Sequence, residues 1–288
     1  MKKVLVIGGN GQLGQCLRVV MEDHSGVEAV FMSSSEANIL QGETLMEAVS
    51  MHQPQLVINC AAYTAVDLAE DEPEKAYSLN AEGVLNLATV CQKQGLFLIH
   101  ISTDFVFPGD IPLPLDETAV TNPLSVYGKS KLKGENILEA MLPDQSLIIR
   151  TSWLYSEFGN NFLKTMLRLA REHDSLGVVC DQVGTPTYAR DLANFIWTCV
   201  EQDQCPSGIL HFSNEGLASW YDFAAAIFDF SGLSVEMRPL RTEAYPTKAT
   251  RPKFSVLDKT KAKEVVPVKI EHWVQALKRC LTHLEVSK

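Results

Sequence analysis

The sequence lacks the features that mark secreted, membrane-spanning and nucleic-acid-binding proteins. Its seven cysteines lie far apart, with no Cys-x-x-Cys pair and no cysteine–histidine spacing that suits zinc. No apolar run approaches the roughly 20 residues that cross a membrane, and the first one, Val4–Ile7, is too short for the core of a signal peptide. Lysine and arginine are scattered through a chain of net charge −10, which leaves no basic stripe for nucleic acid or a membrane surface. We therefore expect a cytoplasmic protein with free thiols.

What is present is the composition of a folded globular protein. Hydrophobic residues make up 46% and charged residues 21% of the 288 residues. This length exceeds that of a typical domain, so we expect one large domain or a domain with a smaller lobe.

The first half of the chain alternates short apolar runs with segments of helical period. The runs, each typical of a strand buried on both faces, are Val4–Ile7, Ala29–Met32, Leu56–Cys60, Leu96–Ile101 and Leu147–Ile149. The helical segments between them lie near Leu13–Met21, Glu43–His52, Glu74–Gln94 and Ser125–Met141. This alternation predicts an α/β fold with a doubly wound parallel sheet, in which ligands bind at the carboxyl ends of the strands.

The regularity weakens after Arg150. A short strand is predicted at Leu176–Cys180, and helices are predicted near Phe162–Arg171, Asp191–Glu201, Trp220–Phe230 and Ile270–Leu284. We predict a nucleotide-binding domain over residues 1–150 and a smaller, mixed α/β substrate lobe over residues 151–288, some segments of which can return to the first sheet.

A glycine-rich turn follows the first predicted strand and opens the first helix. Glycines there allow a tight turn, let the backbone approach a pyrophosphate and place that group against the helix N-terminal amides. With its strand–turn–helix context, the motif predicts a Rossmann-type dinucleotide site rather than only a tight connection. The candidate cofactor contacts in this turn are Gly8, Asn10, Gly11, Gln12, Leu13 and Gly14.

The tip of the second strand bears on the choice between NADH and NADPH. The segment Met32–Ser35 offers no acid for a ribose 2′-hydroxyl, Glu36 comes late, and no arginine stands there to bind a 2′-phosphate. This favours NADPH or the use of both cofactors. Asn38 and Ile39 are candidates for framing the adenine, with an ordinary capped loop as the alternative.

Two further positions suggest polar contacts. After the third strand, the small residues Ala61 and Ala62 let a cofactor lie against the backbone. Asn80 falls inside a helical segment, where asparagine is unfavourable, which suggests a task such as bonding a kinked backbone; a plain surface asparagine is the alternative.

A tyrosine and a lysine supply candidate catalytic groups. Tyr127 and Lys131 are four residues apart, so on a helix the phenol and the ammonium share one face. A neighbouring ammonium lowers the pKa of a phenol, which suits proton transfer to a sugar or alcohol oxygen. Such a pair also arises by chance, but Thr103, at the end of the fourth strand, offers a hydroxyl that stabilises charge on a substrate carbonyl.

The glycine turn, Ser102–Thr103 and Tyr127-x-x-x-Lys131, in this order, resemble the extended short-chain dehydrogenase/reductase family. Longer stretches strengthen the resemblance to its branch of nucleotide-sugar reductases: Asn59–Asp67, His100–Pro108, Arg150–Tyr155, Gly159–Phe162, Asp181–Thr187 and Arg251–Pro252. They span the chain to about residue 260.

The resemblance implies an NAD(P)H-dependent oxidoreductase that reduces the C4 ketone of the nucleotide sugar dTDP-4-dehydro-L-rhamnose. Tyr127 would donate the proton, Lys131 would lower the tyrosine pKa and hold the nicotinamide ribose, and Thr103 would polarise the ketone. Implied cofactor contacts are Asn10, Gly11, Gln12, Asn38, Ile39, Ala61, Ala62 and Tyr63, together with Tyr127 and Lys131. Thr103, Asp104 and Trp153 match positions near the sugar, and a core role is the alternative for Trp153.

Some residues depart from the family pattern. Phe105 stands where a tyrosine is common, which leaves sugar specificity open. Some members dimerise through magnesium held by glutamates, but Gln15 and Arg190 occupy two of those places, so we expect no bound metal. A monomer and a homodimer both remain open.

Two other functions fit the same motifs. A cofactor-binding regulatory subunit, like the beta subunit of methionine adenosyltransferase, resembles this family and would copurify with a synthetase. A nucleotide-sugar epimerase or dehydratase shares Tyr-x-x-x-Lys but retains its cofactor and returns the hydride. The intact Thr103, Tyr127 and Lys131 favour the reductase.

Overall fold

A computed structural model describes residues 1–286, with side chains described through residue 284. The strands are Lys2–Ile7 (β1), Val27–Met32 (β2), Leu56–Asn59 (β3), Phe97–Thr103 (β4), Ser146–Thr151 (β5), Leu154–Tyr155 (β6), Ser175–Val179 (β7), Val183–Gly184 (β8), Thr187–Tyr188 (β9), Gly208–His211 (β10), Ala218–Ser219 (β11) and Glu236–Leu240 (β12). The α-helices are Gln12–Val20 (α1), Gly42–His52 (α2), Val66–Ala69 (α3), Pro73–Tyr77 (α4), Gly83–Gln94 (α5), Val126–Met141 (α6), Phe162–Glu172 (α7), Ala189–Glu201 (α8), Trp220–Phe230 (α9), Thr260–Val265 (α10) and Trp273–Val286 (α11).

Six strands form one parallel sheet in the order β10-β5-β4-β3-β1-β2. The strand order reverses between β1 and β3, where α/β sheets bind their ligands. The predicted doubly wound fold is confirmed. Each of the five predicted sheet strands is present, and their register places the carboxyl ends of β1, β3 and β4 along one edge.

Apolar cores cover both faces of this sheet, as continuous apolar strands require. On one face α1, α8 and α10 pack against β1, β3 and β5, and on the other α2, α5 and α6 pack against the same sheet. The fully buried Trp197 of α8 donates its indole N–H to the Leu17 carbonyl of α1 at 2.9 Å. Thus α8, α10 and β10 belong to the layers of the six-stranded sheet although they follow residue 150.

The other elements of the second half form a smaller lobe with its own core. Helices α7, α9 and α11 enclose Tyr155, Phe223 and Leu277, which are buried. Beside them β7 pairs in parallel with β12. The sequence did not predict β12 because Glu236–Leu240 is largely exposed and includes a proline, so it has no apolar pattern. The division at residue 150 stays a prediction. None of the described helices is long and apolar enough to cross a membrane.

Asn80 explains a distortion between α4 and α5. The helical segment predicted as continuous contains a π-helical stretch at Ser78–Glu82. There the Asn80 amide oxygen accepts from the Tyr63 backbone N–H at 2.9 Å, and its nitrogen donates to the Ser130 hydroxyl at 2.9 Å. Asn80 therefore ties the loop after β3 to α6, which is a polar task and not that of a surface asparagine.

Helix α6 begins against the turn that follows β4. The Ser125 hydroxyl caps it by accepting from the Gly128 N–H at 3.1 Å, and Glu70 accepts from the Val126 N–H at 2.8 Å. A Cβ on Gly128 would overlap the Phe105 carbonyl oxygen. Glycine at this position is therefore what allows the helix to approach the strand end.

We predict that Gly128→Ala destabilises the protein by about 1–3 kcal/mol, because the new methyl group meets a backbone carbonyl that cannot move alone. Thermal unfolding measures the effect. Gly42→Ala is the control, since a Cβ there meets no atom within 4 Å among the described residues, and it should leave the melting temperature unchanged or slightly raised. Equal melting temperatures for the two variants would contradict this account of the helix contact.

Candidate active site

The glycine turn joins β1 to α1 at the switch point of the sheet. Gly8 has a φ of 78°, in the left-handed region, and a Cβ there would lie 2.8 Å from the Ala61 backbone nitrogen. Gly11 is the N-cap of α1 and has no side chain to occupy the free amides of the first turn. The turn therefore presents backbone N–H groups and bare backbone to this edge.

The predicted cofactor residues differ in how far they are exposed at this edge. Leu13, Gly14 and Ile39 are buried in the packed layers, so Leu13 and Ile39 offer only their backbone. Asn38 uses its side-chain oxygen to accept from the Leu40 N–H at 3.0 Å, which makes it a turn former. Asn10 and Gly11 are exposed, whereas Gln12, Ala61, Ala62 and Tyr63 are half-buried around the same edge.

Arg18 of α1 lies near the tip of β2, and the sequence patterns did not identify it as a candidate cofactor contact. Its guanidinium lies over the ring of Phe31, with Cζ 4.2 Å from the ring centroid. It helps to line a surface cavity of about 460 Å³ with Gly9 and Asn10. Its charge also contributes to the lowered pKa of Glu36, after the stronger effect of hydrogen bonds from Ser33. An arginine therefore reaches this tip from α1, where β2 itself supplies none.

Thr103 and Tyr127 come together at the carboxyl end of β4. Burial raises the Tyr127 pKa to about 12, and the neighbouring Thr103 side chain opposes the rise. The Phe105 ring packs edge-on against the phenol at a centroid distance of 5.7 Å. The structure thus brings the two predicted catalytic hydroxyls into contact, with an apolar ring where the family pattern has a hydroxyl.

Asp104 lies beside this pair and is 1% exposed. Its Oδ1 accepts from the Thr103 hydroxyl at 3.1 Å, whereas its buried Oδ2 has no hydrogen-bond partner of normal length among the described residues. Burial raises the Asp104 pKa to about 6, although a contact with Ser255 favours the carboxylate. An unpaired buried oxygen is a ready acceptor for a ligand hydroxyl.

Lys131 lies one turn beyond Tyr127 and is 2% exposed. Its Nζ is 2.6 Å from the Ile101 carbonyl oxygen and 3.2 Å from His100 Nε2. Burial lowers its pKa to about 8. From the sequence we predicted that this lysine lowers the Tyr127 pKa. Burial of the phenol outweighs any such effect, and the pKa of Tyr127 rises.

The carboxyl end of β4 and the first two turns of α6 carry Thr103, Tyr127 and Lys131, and we call this region the catalytic edge. A buried ion pair between β5 and α6 lies next to it. Arg150 of β5 donates to Glu135 of α6 at 2.7 Å, and the Ser102 hydroxyl donates to the same carboxylate. The side chains of both charged residues are at most 4% exposed. Removing one partner of such a pair costs about 3–5 kcal/mol, since it leaves a buried charge uncompensated.

Trp153 takes an unusual conformation where the two lobes meet. Its φ of 46° is rare for a residue other than glycine. Its indole stacks on Trp220 at a centroid distance of 3.6 Å and an angle of 7°. A strained tryptophan held in this way suits a binding role, and its contact with a sugar stays a prediction.

A cavity of about 750 Å³ extends from Trp220 through the smaller lobe. Its walls include the apolar side chains of Met166, Leu169 and Val178 and the cations Lys248 and Arg251.

Arg251 donates to Asp67 at 2.6 Å, and Lys248 pairs with Asp71. These pairs connect the segment after β12 to the region after β3, so they bridge the two lobes across the cavity.

The described residues contain no group of three or more His, Cys, Asp and Glu side chains that could hold a metal ion. Gln15 donates to the Asn10 carbonyl at 2.9 Å, and Arg190 pairs with Glu157. These contacts account for two positions at which the family resemblance suggested a bridge through magnesium. The expectation of no metal stays a prediction.

Comparison with known proteins identifies the family. The RmlD substrate binding domain model matches residues 1–286. A dTDP-4-dehydrorhamnose reductase of Aggregatibacter actinomycetemcomitans is 41% identical over 99% of this chain and 100% of the relative. The crystal structure of a dTDP-4-dehydrorhamnose reductase from Clostridium acetobutylicum is 40% identical with a TM-score of 0.92, covering 98% of this chain and 99% of that one. The crystal structure of the Bacillus anthracis dTDP-4-dehydrorhamnose reductase in complex with NADP is 36% identical with a TM-score of 0.93, covering 98% of this chain and 100% of that one. The chain therefore belongs to the dTDP-4-dehydrorhamnose reductase family.

Proposed function

We propose that this protein reduces the C4 ketone of dTDP-4-dehydro-L-rhamnose to dTDP-L-rhamnose with NAD(P)H, the last step in the synthesis of that nucleotide sugar. The observation that carries the proposal is the contact between Thr103 and Tyr127, on the same sheet edge as the glycine turn. Relatives matched along the whole chain bear the name of this activity, which supports the substrate.

The residues at the glycine turn fit a dinucleotide. The uncapped amides at the start of α1 suit a pyrophosphate, and Gly8 and Ala61 leave backbone exposed where side chains would obstruct it. Asn10 and Tyr63 each lie two residues beyond these positions in the chain. When bound, NAD(P)H supplies the hydride. The NADP complex of the Bacillus anthracis relative supports this choice of cofactor.

Tyr127 serves as the proton donor. With a pKa raised to about 12, the phenol is protonated throughout the neutral range, so it can donate to the ketone oxygen as negative charge develops there. The Thr103 hydroxyl stabilises the same oxygen, and the unpaired Asp104 Oδ2 accepts from a sugar hydroxyl. Lys131, whose Nζ lies against His100 in this structure, would hold the nicotinamide ribose.

The cavity of the smaller lobe suits the nucleotide half of the substrate. Its apolar walls fit a thymine ring, and Lys248 and Arg251 suit the diphosphate. Because Asp67 and Asp71 neutralise these cations, binding of the diphosphate exchanges one set of ion pairs for another. We place the protein in the cytoplasm with its proposed substrates, as a monomer or a homodimer.

The decisive experiment follows NADPH and NADH absorbance with dTDP-4-dehydro-L-rhamnose made in situ by its upstream enzymes. We expect oxidation of cofactor that depends on this substrate and free exchange of cofactor between turnovers. No oxidation with either cofactor would refute the proposal, and cofactor retained through purification with no net oxidation would select an epimerase.

We predict that Tyr127→Phe lowers kcat by on the order of 10² to 10⁴, because the proton donor is lost while the ring remains. The dissociation constant for NADPH, measured by fluorescence titration, should stay within about twofold, since the phenol contributes to the reaction more than to binding. Tyr77→Phe, at a more exposed tyrosine of α4, is the control and should keep full activity. Wild-type turnover in Tyr127→Phe would exclude this residue as the donor.

We predict that Arg18→Met discriminates between the cofactors. A 2′-phosphate near Phe31 would lose a charge-assisted contact, so kcat/KM for NADPH should fall roughly tenfold to hundredfold, with little change for NADH. Steady-state kinetics with both cofactors measure the ratio, and Arg171→Met, at an exposed position on α7, is the control. A parallel loss with both cofactors would argue against a phosphate contact.

We predict that Asp104 controls the acid side of the pH profile. Because burial raises its pKa to about 6, the carboxylate gains a proton below that pH and Oδ2 ceases to be a pure acceptor. The wild-type kcat/KM should therefore fall as pH drops through about 6. Asp104→Asn should lower kcat/KM and remove this dependence, whereas the exposed Asp110→Asn should not. An unchanged acid limb in Asp104→Asn would assign it to another group.

A further inference from the structure

His100 is a buried histidine between two polar side chains at the catalytic edge. It is 1% exposed and lies opposite Asn59 in the register of β4 against β3. Its Nδ1 is 3.1 Å from Asn59 Nδ2, and its Nε2 is 3.2 Å from Lys131 Nζ. Each ring nitrogen therefore faces a nitrogen, so only one member of each pair can donate.

The backbone determines the direction of the first bond. The Ala61 N–H donates to the side-chain oxygen of Asn59 at 3.0 Å. Only the amide oxygen can accept this bond, so the Asn59 nitrogen faces His100 and donates to Nδ1. The amide cannot be reversed without placing its NH₂ group against the N–H of Ala61.

The position of the proton on His100 determines the charge of Lys131. Burial keeps the pKa of His100 well below its ordinary value, so the ring is neutral. A neutral imidazole whose Nδ1 accepts carries its proton on Nε2. That N–H points at Lys131 Nζ, and an ammonium has no lone pair with which to accept it. Lys131 accepts only as a neutral amine, which donates one of its own N–H groups to the Ile101 carbonyl oxygen at 2.6 Å.

We infer that His100, oriented by Asn59, is a positioning residue that favours the neutral amine of the catalytic lysine while Nζ lies against it. Lys131 gains its proton by turning away from His100. The role of this step in the reaction rests on the proposed function, whereas the direction of the hydrogen bonds does not.

The groups around Lys131 agree with this assignment. Glu135 on α6 favours the ammonium, but burial outweighs it and lowers the lysine pKa to about 8. Burial raises the pKa of the Cys60 thiol after β3 to about 12, so this group is neutral. Arg150 offsets the charge of Glu135 through their ion pair, and the nearby Tyr127 phenol is neutral. Above about pH 8 the neutral amine is therefore the main form in this position.

Turning toward a cofactor exchanges the histidine for ribose hydroxyls, which accept from an ammonium. Lysine position and lysine charge are thereby coupled, so that cofactor binding takes up a proton from solvent. At pH 9 this uptake should approach one proton per NADPH bound.

The test reads the proton on His100 directly. In protein labelled with ¹⁵N-histidine, long-range ¹H–¹⁵N correlation spectra at pH 9 distinguish the two neutral tautomers, and the signal lost in His100→Gln identifies the residue. We expect the proton on Nε2 in the wild type. A proton on Nδ1 would overturn the inference, and the tautomer itself is read in the wild-type protein.

Asn59→Asp reverses the pattern with almost no change in shape. The carboxylate accepts from both Ala61 N–H and His100 Nδ1, so the proton should move to Nδ1 and Lys131 should become a permanent ammonium. Proton uptake on NADPH binding, measured calorimetrically in buffers of different ionisation enthalpy, should then fall severalfold. Asn122→Asp adds the same charge at an exposed site and should leave both readouts unchanged.

An Nε2 proton retained in Asn59→Asp, or an uptake equal to that of the wild type, would overturn the role of Asn59. Failure of the proposed reductase activity would appear in the substrate assay and would leave the tautomer unaffected.

Discussion

The close approach of α6 to the carboxyl end of β4 is the contact on which the catalytic edge depends. Gly128 permits it, because any larger residue would meet the Phe105 carbonyl, and the buried pair of Glu135 and Arg150 holds the helix about two turns further along. Tyr127 and Lys131 belong to the first two turns of this helix, while Thr103 ends the strand. Their relative positions therefore follow from backbone packing rather than from flexible side chains, which suits a site that must align a proton donor with a ketone.

Burial has the same effect on each ionisable group at this edge. It raises the pKa values of Tyr127 and Asp104 and lowers that of Lys131, so each group is shifted toward its neutral form. A dry site of this kind strengthens any charge that a substrate or cofactor introduces, since few waters screen it. Proton transfer from a neutral tyrosine to a developing alkoxide is well suited to such an environment.

In the proposed function, the second lobe contributes substrate recognition rather than chemistry. Its strained Trp153 stacks on Trp220, and Trp220 borders a cavity whose two cations are paired with acids of the first lobe. An anionic nucleotide that enters this cavity competes for those cations, so substrate binding and the contact between lobes share the same charges. The reductase family to which the chain belongs acts on a substrate of this kind, a sugar joined to a nucleoside diphosphate.

Local pattern was enough to predict most of the fold and to identify the residues that meet at the candidate site, whose roles stay predictions. Buried strands appear as apolar runs, a dinucleotide turn appears as glycines three apart, and a helical pair appears as residues four apart, because each depends on near neighbours in the chain. What joins distant segments could not be predicted from such patterns: β10 returning to the sheet beside β5, Arg18 reaching Phe31, and the chain of hydrogen bonds from Ala61 through Asn59 and His100 to Lys131. The pKa values also depended on burial, which is a tertiary property, so the sequence predicted a tyrosine acidified by lysine where the fold instead keeps the phenol neutral. The sequence by itself determined which groups stand at the carboxyl ends of the strands, and only the tertiary structure decided their charges and partners, since these depend on what the folded chain packs around them.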